Sequence, residues 1–494
     1  MTLTPLITAA EGFPALERLA AGAQEELLLS FRIFDPQTKL RAPELREQGL
    51  ETWADLLAVV AGRGVRIRMV LADFDPLFTS DLHRTAWASA NGFASAVPGD
   101  FQVLCAPHGQ TVGWLWRTVF RPKILEKLHA LQGDDPKKLT PLQKKVLTGP
   151  AVLRPVTLHQ KCAVADSRIC IIGGLDVNDR RYDDWDHDRP SDETWHDVAM
   201  QVEGAFAVPL RAHLIETWNA AIDCGAESPG QTAERMEVAT ASRSAGDLQL
   251  VRTLSAPCQG FSVFGPRARI TEHEEVLIKA IDAARDSIYI ETQFLRHRPI
   301  AEALARAAAR EPDLNCIIIL PPQPDRVLFD GDTGWDARHA EALQLRALEK
   351  IRDAFGDRVA MISPAKTAAA EKGEAEVYGA GPIYIHAKVM LIDEDFGLVG
   401  SANLNGRSLH WDTEASVLFR NADTIRDMRQ RFALKWLAEE SEGQDITRAE
   451  IWSRTAEANK LRAPQDRTSF ALPYPFRRVR RFSRHLPILP SDMF

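Results

Sequence analysis

LHQKCAVADSRICIIGGLDVN, residues 158–178, and IHAKVMLIDEDFGLVGSANLN, residues 385–405, are two versions of one segment. They align without a gap: His159 falls on His386, Lys161 on Lys388, Asp166 on Asp393, Gly173 on Gly400 and Asn178 on Asn405. So many coincidences at one offset mark a duplicated unit. In each copy an apolar run turns after its aspartate and continues apolar, KCAVAD into ICIIGG and KVMLID into FGLVGS, which predicts a β-hairpin. Residues i and i+2 of a strand share a face, so His159 projects with Lys161 and His386 with Lys388. A pseudo-twofold axis joining the copies would set two imidazoles and two ammonium groups around one pocket.

The duplication extends outward. LLLSFRIFDP (27–36) and IYIETQFLRH (288–297) are apolar strands ending in aromatic-rich turns upstream of the two motifs. Each is followed by a helix-like stretch and another apolar strand, VRIRMVLADF (65–74) and LNCIIILPP (314–322). Strands alternating with helices argue for an α/β sheet in each half. The expected division is an N-terminal lobe over 1–230, a small-polar linker over 231–248, a C-terminal lobe over 249–445 and a tail over 446–494.

The chemistry of the pocket follows from its residue types. Two lysines neutralise non-bridging phosphate oxygens and stabilise charge that grows in a transition state. One unprotonated imidazole attacks phosphorus; the other, protonated, delivers a proton to the leaving oxygen. A nucleophilic imidazole needs a partner to fix its tautomer. The candidates downstream of the motifs are Asp197 and Glu414, each just before an apolar strand. Gly173, Gly174, Gly400 and Ser401 are small enough for backbone to approach a phosphate, and Ser401 and Asn403 are candidate hydrogen-bond donors to it. Asp166 and Asp393, at the far ends of their strands, are expected to be structural.

These residues resemble the phospholipase D superfamily, whose signature is this duplicated motif, and most of all the eukaryotic-type catalytic regions. The resemblance rests on GGLDVNDRRYDDW (173–185), WHDVAMQVEGAFAVPLRAHLIETWN (195–219), IYIETQFL (288–295) and IYIHAKVMLIDEDFGLVGSANLNGRSL (383–409), and spans roughly 25–440. It implies a metal-independent phosphohistidine mechanism, with no cofactor, His159 as nucleophile and His386 as general acid. It carries Lys161, Lys388 and Asn403 over as phosphate ligands, and Asp197 and Glu414 as imidazole partners. Asp176 stands where Asn403 stands in the other copy; a carboxylate there repels phosphate unless protonated or turned away. The expected fold is α/β, with two pseudo-twofold related α/β/α lobes, mixed sheets packed face to face and one active site at the interface.

Composition narrows the partners. The 494 residues carry 60 basic and 68 acidic side chains, a formal charge of −8, with 45% hydrophobic and 26% charged residues. An acidic chain argues against a nucleic-acid partner. No apolar run nears the roughly 18–20 residues of a membrane span, and the N-terminus does not read as a signal peptide. The expectation is a monomer in the cytoplasm or at a membrane surface, acting on phospholipid, with signal-independent secretion left open. The six cysteines form no C-x-x-C pair, and buried free thiols are expected. Three weaker signals have more than one reading each. The acidic run at Asp183, Asp184, Asp186 and Asp188 is a solvated loop or a cation site. GWLWRTVFRPKILEKL (113–128) is an interfacial helix or a core helix. The arginine-rich C-terminus is a charged surface, a strap across the other lobe or a lipid contact. Among functions, phospholipid hydrolysis or head-group transfer leads. A cardiolipin synthase-type phosphatidyltransferase is the alternative, a nuclease comes after it, and a non-catalytic phosphate-binding scaffold last.

Overall fold

The computed structural model describes all residues except 107–108, 150–152, 239–240, 257–264, 488 and 490. Cys258 and part of the expected linker therefore lie outside the described residues. The first sheet runs in the order Thr2–Ile7, Val198–Glu203, Ile169–Gly173, Cys162–Ala165, Glu26–Phe31, Arg66–Ala72, Phe101–Ala106. The second runs Arg267–Thr271, Leu248–Ala256, Glu414–Phe419, Phe396–Gly400, Val389–Ile392, Ser287–Glu291, Asn315–Ile319, Val359–Ile362. In each, three strands at one end are parallel and the rest antiparallel, including the motif hairpins. The fold is thus the expected mixed α/β arrangement.

The inner faces of the two sheets share one core. Leu28, Cys162, Val164 and Ile172 of the first meet Tyr289, Val389, Leu391 and Val399 of the second, all buried. The helices Ala207–Asp223 and Ala422–Leu437 contribute Leu210, Leu214, Phe432 and Trp436 to it. The outer face of the first sheet is covered by Ala9–Gly22, Trp53–Gly62 and Ser80–Ala96. That of the second is covered by Glu272–Ala283, Arg298–Arg310 and Trp335–Phe355. Each large side chain in the shared core is worth about 1.5–3 kcal/mol of burial, so separating the lobes would expose a cost neither can carry. A buried polar contact joins them as well: Glu291 accepts hydrogen bonds from His196 of the first lobe (2.7 Å), and from Tyr289 (2.6 Å) and Trp436 (2.7 Å).

Asp166 and Asp393 occupy matching places. Asp166 accepts the backbone N–H groups of Gln24, Glu25 and Glu26 at 2.8–2.9 Å; Asp393 accepts those of Arg285, Asp286 and Ser287 at 2.9–3.0 Å. Both sit in the left-handed region, φ 53° and 48°, where a short carboxylate that bonds backbone is tolerated. Each aspartate ties its hairpin turn to the start of the neighbouring central strand.

Residues 446–494 are less a tail than part of the fold. Ala449–Lys460 buries Trp452 and Ala456 in the shared core. Farther on, Leu486, Leu489 and Phe494 cross to the first lobe and pack with Trp116, Ile124 and Leu131. The segment 113–128 is two helices, Trp114–Val119 and Arg121–Gln132, with Pro122 in the first turn of the second. Trp116 and Ile124 are buried, while Trp114, Val119 and Leu125 are exposed. The acidic run folds around a buried pair, Asp183 with His187 Nδ1 (2.7 Å), packed on Trp436 and Phe470. Cys105, Cys162, Cys170 and Cys316 are buried free thiols and Cys224 is exposed. Among the described residues, no helix is long and apolar enough to cross a membrane.

Candidate active site

The two motif strands enter the site through the opposite lobe. The His159 N–H donates to the Thr413 carbonyl (2.9 Å) and the His386 N–H to the His196 carbonyl (2.8 Å). A short parallel pairing of Tyr384–Ile385 with Trp195–His196 makes the second crossing; Leu158 bridges Thr413 in the first. The side chains follow the backbone. His159 Nδ1 lies 2.9 Å from Glu414, and His386 Nδ1 2.6 Å from Asp197. Each histidine is therefore partnered through Nδ1 by the carboxylate of the other half. His386 also meets the Trp195 ring edge-on, centroids 5.7 Å apart.

The lysines are folded in beside them. Lys161 Nζ donates to the His159 carbonyl (2.6 Å), and Lys388 Nζ to that of His386. Lys161 is 2% and Lys388 4% exposed, so these ammonium groups are held in a low-dielectric pocket where a bound anion gains most. Asp176 directs Oδ1 at the Ile33 N–H (3.1 Å) and leaves Oδ2 buried without a hydrogen-bond partner. Its charge favours the protonated form of both lysines. Asn403 mirrors it, with Nδ2 3.4 Å from Gln293 Oε1 and Oδ1 buried and unpartnered.

Two expected phosphate contacts lie one layer back. The Ser401 hydroxyl donates to Glu414 and accepts the Ala415 N–H (3.1 Å), and the residue is fully buried. It orients Glu414. Gly174, in the equivalent place, leaves room instead: a Cβ there would lie 2.0 Å from Asp197 Oδ1.

Electrostatics follow from burial. Desolvation, then the charges of Lys161 and Arg32, holds His159 well below the ordinary imidazole range. Desolvation, then Lys388 and Arg181, does the same to His386. Burial raises Glu414 to about 8 against the pull of Lys161, and Asp197 to about 6 against the pull of both lysines. Burial lowers Lys388 to about 7 and also lowers Lys161. The pocket resists net charge of its own, which suits it to an incoming anion.

Sequence reasoning missed Arg32, Arg181, Arg407 and Gln293. Arg32, Lys388 and Arg407 all bear on the charge of His159. Arg181 is stacked on Trp195 (3.5 Å) with one buried Nη unpartnered. The signal for two of them was present: superposing 27–36 on 288–297 sets Arg32 on Gln293.

The family described as "Cardiolipin synthase, PLD-like domain" matches residues 277–436. Cardiolipin synthase 1 of Bacillus anthracis is 21% identical over 277 residues, 56% of this chain and 45% of that protein. Phospholipase D1 of Saccharomyces cerevisiae is 21% identical over 54% of this chain and 20% of its own length. Residues 277–436 thus match the phospholipase D-like family, and the chain is similar to cardiolipin synthases and phospholipases D. It spans less than half the length of these curated relatives. A solved structure, that of phosphatidylserine synthase of Haemophilus influenzae, superposes with a TM-score of 0.52 at 12% identity. The match covers 87% of this chain and 86% of that one, and supports the fold.

Proposed function

We propose that this protein is a phospholipase D-type phosphodiesterase that splits glycerophospholipids into phosphatidic acid and a head-group alcohol. The observation that carries the reading is the pair of buried histidines, each bonded to a carboxylate from the other half and close enough for His159 to bear on the charge of His386. In the proposed course His159 Nε2 attacks phosphorus while Glu414 holds its Nδ1–H. The P–N bond forms and the P–O bond to the head group breaks, that oxygen taking a proton from His386 Nε2, whose imidazolium the negative charge of the bound substrate and Asp197 favour. His386, now neutral, takes a proton from water, whose oxygen attacks phosphorus and releases His159. Lys161, Lys388 and the amide of Asn403 bind the non-bridging oxygens. Two features favour His159 as nucleophile: its side chain is the more accessible, 11% against 3% for His386, and the resemblance assigns it that role. Asp197 ionises at lower pH than Glu414 and so is the better partner for an imidazolium.

A second reading is favoured by the matched relatives, several of which are named cardiolipin synthases. There a lipid alcohol replaces water in the second step. The acceptor discriminates. Incubation with mixed phospholipids is expected to give phosphatidic acid, and with ethanol phosphatidylethanol as well. A cardiolipin-like product as the main species, from phosphatidylglycerol, would favour the second reading. Folded protein that left every phospholipid intact would overturn both. His159→Ala is expected to abolish trapping of a phosphoenzyme; trapping that survives there and is lost in His386→Ala would reverse the two roles.

A further inference from the structure

Beside the phosphate pocket, three side chains from three separate segments converge. Glu274 lies in the first turn of Glu272–Ala283, His297 caps Arg298–Arg310, and His410 lies in the π-helical turn Arg407–Trp411. Among the described residues they are the one group of histidines and carboxylates whose ligand atoms all lie within 4.8 Å of one another. His297 Nε2 is 2.7 Å from one oxygen of Glu274 and His410 Nε2 2.9 Å from the other. The rings stand at 88° with centroids 5.2 Å apart, so their Nε2 atoms converge and the faces do not stack.

A second observation points to a ligand. The other ring nitrogen of His410, Nδ1, faces Asp492 Oδ1 at 3.0 Å. A carboxylate behind a histidine whose far nitrogen turns toward a shared centre is the usual outer support of a metal-bound imidazole. Two imidazoles and one carboxylate suit zinc-class dications better than magnesium or calcium, which prefer all-oxygen shells. Metal bonds of about 2.0–2.2 Å would draw the ligand atoms to about 3.3 Å apart, a movement within reach of side-chain rotation.

We propose that Glu274, His297 and His410 bind one zinc-class divalent ion, oriented through Asp492, with water in the fourth position. No sequence motif announces it, because its ligands are scattered along the chain. The ion takes no part in phosphoryl transfer. It clamps the loop that carries Asn403: the Arg296 and His297 N–H groups hold the Leu404 carbonyl (2.8 and 3.0 Å), and Gly406 N–H reaches Phe494 in the segment of Asp492. The ion therefore fastens three chain segments around a residue assigned to phosphate binding.

The test uses the full chain, stripped with chelator and titrated with Zn²⁺ against a chromophoric competitor. One ion per chain with Kd below about 10⁻⁶ M is expected, with a higher melting temperature by mass action. His297→Ala, His410→Ala and Glu274→Gln should each weaken binding at least 100-fold, and Asp492→Asn by roughly 10–100-fold. X-ray absorption of the loaded protein should show two imidazole nitrogens among light-atom ligands. A wild type that binds no zinc tighter than about 10⁻⁴ M would overturn the proposal. So would equal binding by wild type and His410→Ala, which would place the ion among other histidines. Glu274→Gln keeps the shape of the site, and circular dichroism on every variant separates lost binding from lost folding.

Discussion

Burial works against the positive charge of Lys388, and anion binding at the proposed site should therefore be pH-dependent. Burial brings Lys388 down to about 7 and Glu414 up to about 8. Below those values the lysine is charged and the carboxyl neutral; above them the lysine loses its proton and the carboxyl gains a negative charge. Both changes act against an anion, so the sign is unambiguous. A phosphodiester of constant charge should bind His159→Ala protein at least roughly 10-fold more weakly near pH 9 than near pH 6, as a charge-assisted hydrogen bond of about 1.5–3 kcal/mol is lost. Equilibrium binding at the two pH values checks it; affinity that rises with pH would contradict the assignment of Lys388. The lysines and histidines proposed for the site were legible in the sequence because a repeat marks them; Asn403, which falls on Asp176, rested on its residue type and on the resemblance. Arg181 and Arg407 were not, because their meaning depends on what they stand beside.

At the scale of strands and turns, the hairpins follow from alternation and the aspartate turns from the repeat. The crossing does not. Asp197 lies downstream of His159 in sequence, yet it bonds His386, while Glu414 bonds His159. The reason is backbone pairing: His159 and His386 donate to carbonyls just before the other lobe's carboxylate. The crossing gives the carboxylates distinct kinetic signatures. Asp197→Asn should slow release of a poor alcohol leaving group by roughly 10²–10⁴-fold, yet spare phosphoenzyme formation from an activated nitrophenyl ester. Glu414→Gln should slow both. Burst kinetics with the two substrates decide it, and the opposite pattern would mean that the roles follow sequence order. The break between Val119 and Arg121 shows a different limit: the sequence reading treated 113–128 as one helix, although Pro122 favours a new start.

At the scale of the molecule, two sheets share a core, and the proposed site lies between them. The segment between the last strand of the first lobe's parallel set and His159 forms helices that leave Trp114, Val119 and Leu125 exposed. Phe120 stacks on Trp335 of the second lobe, itself exposed, at 6.2 Å. Arg117, Arg121, Lys123 and Lys127 lie on the same helices. Apolar side chains rimmed by cations fit a lipid surface. Trp114→Glu with Leu125→Glu should lower kcat/KM on anionic phospholipid vesicles by about 10-fold and leave hydrolysis of a soluble short-chain phosphodiester unchanged. Equal losses on both substrates would remove these helices from lipid contact.

The sequence by itself determined the duplication, the α/β class, the hairpins and the residue types proposed for the pocket. Each is written in local period or in repetition, which need no knowledge of distant neighbours. Tertiary structure decided which carboxylate serves which histidine, that Ser401 supports Glu414, that residues 446–494 complete the core, and that Glu274, His297 and His410 meet. Those facts depend on packing between segments far apart in the chain, where burial and hydrogen-bond satisfaction choose the partners and sequence order carries no weight.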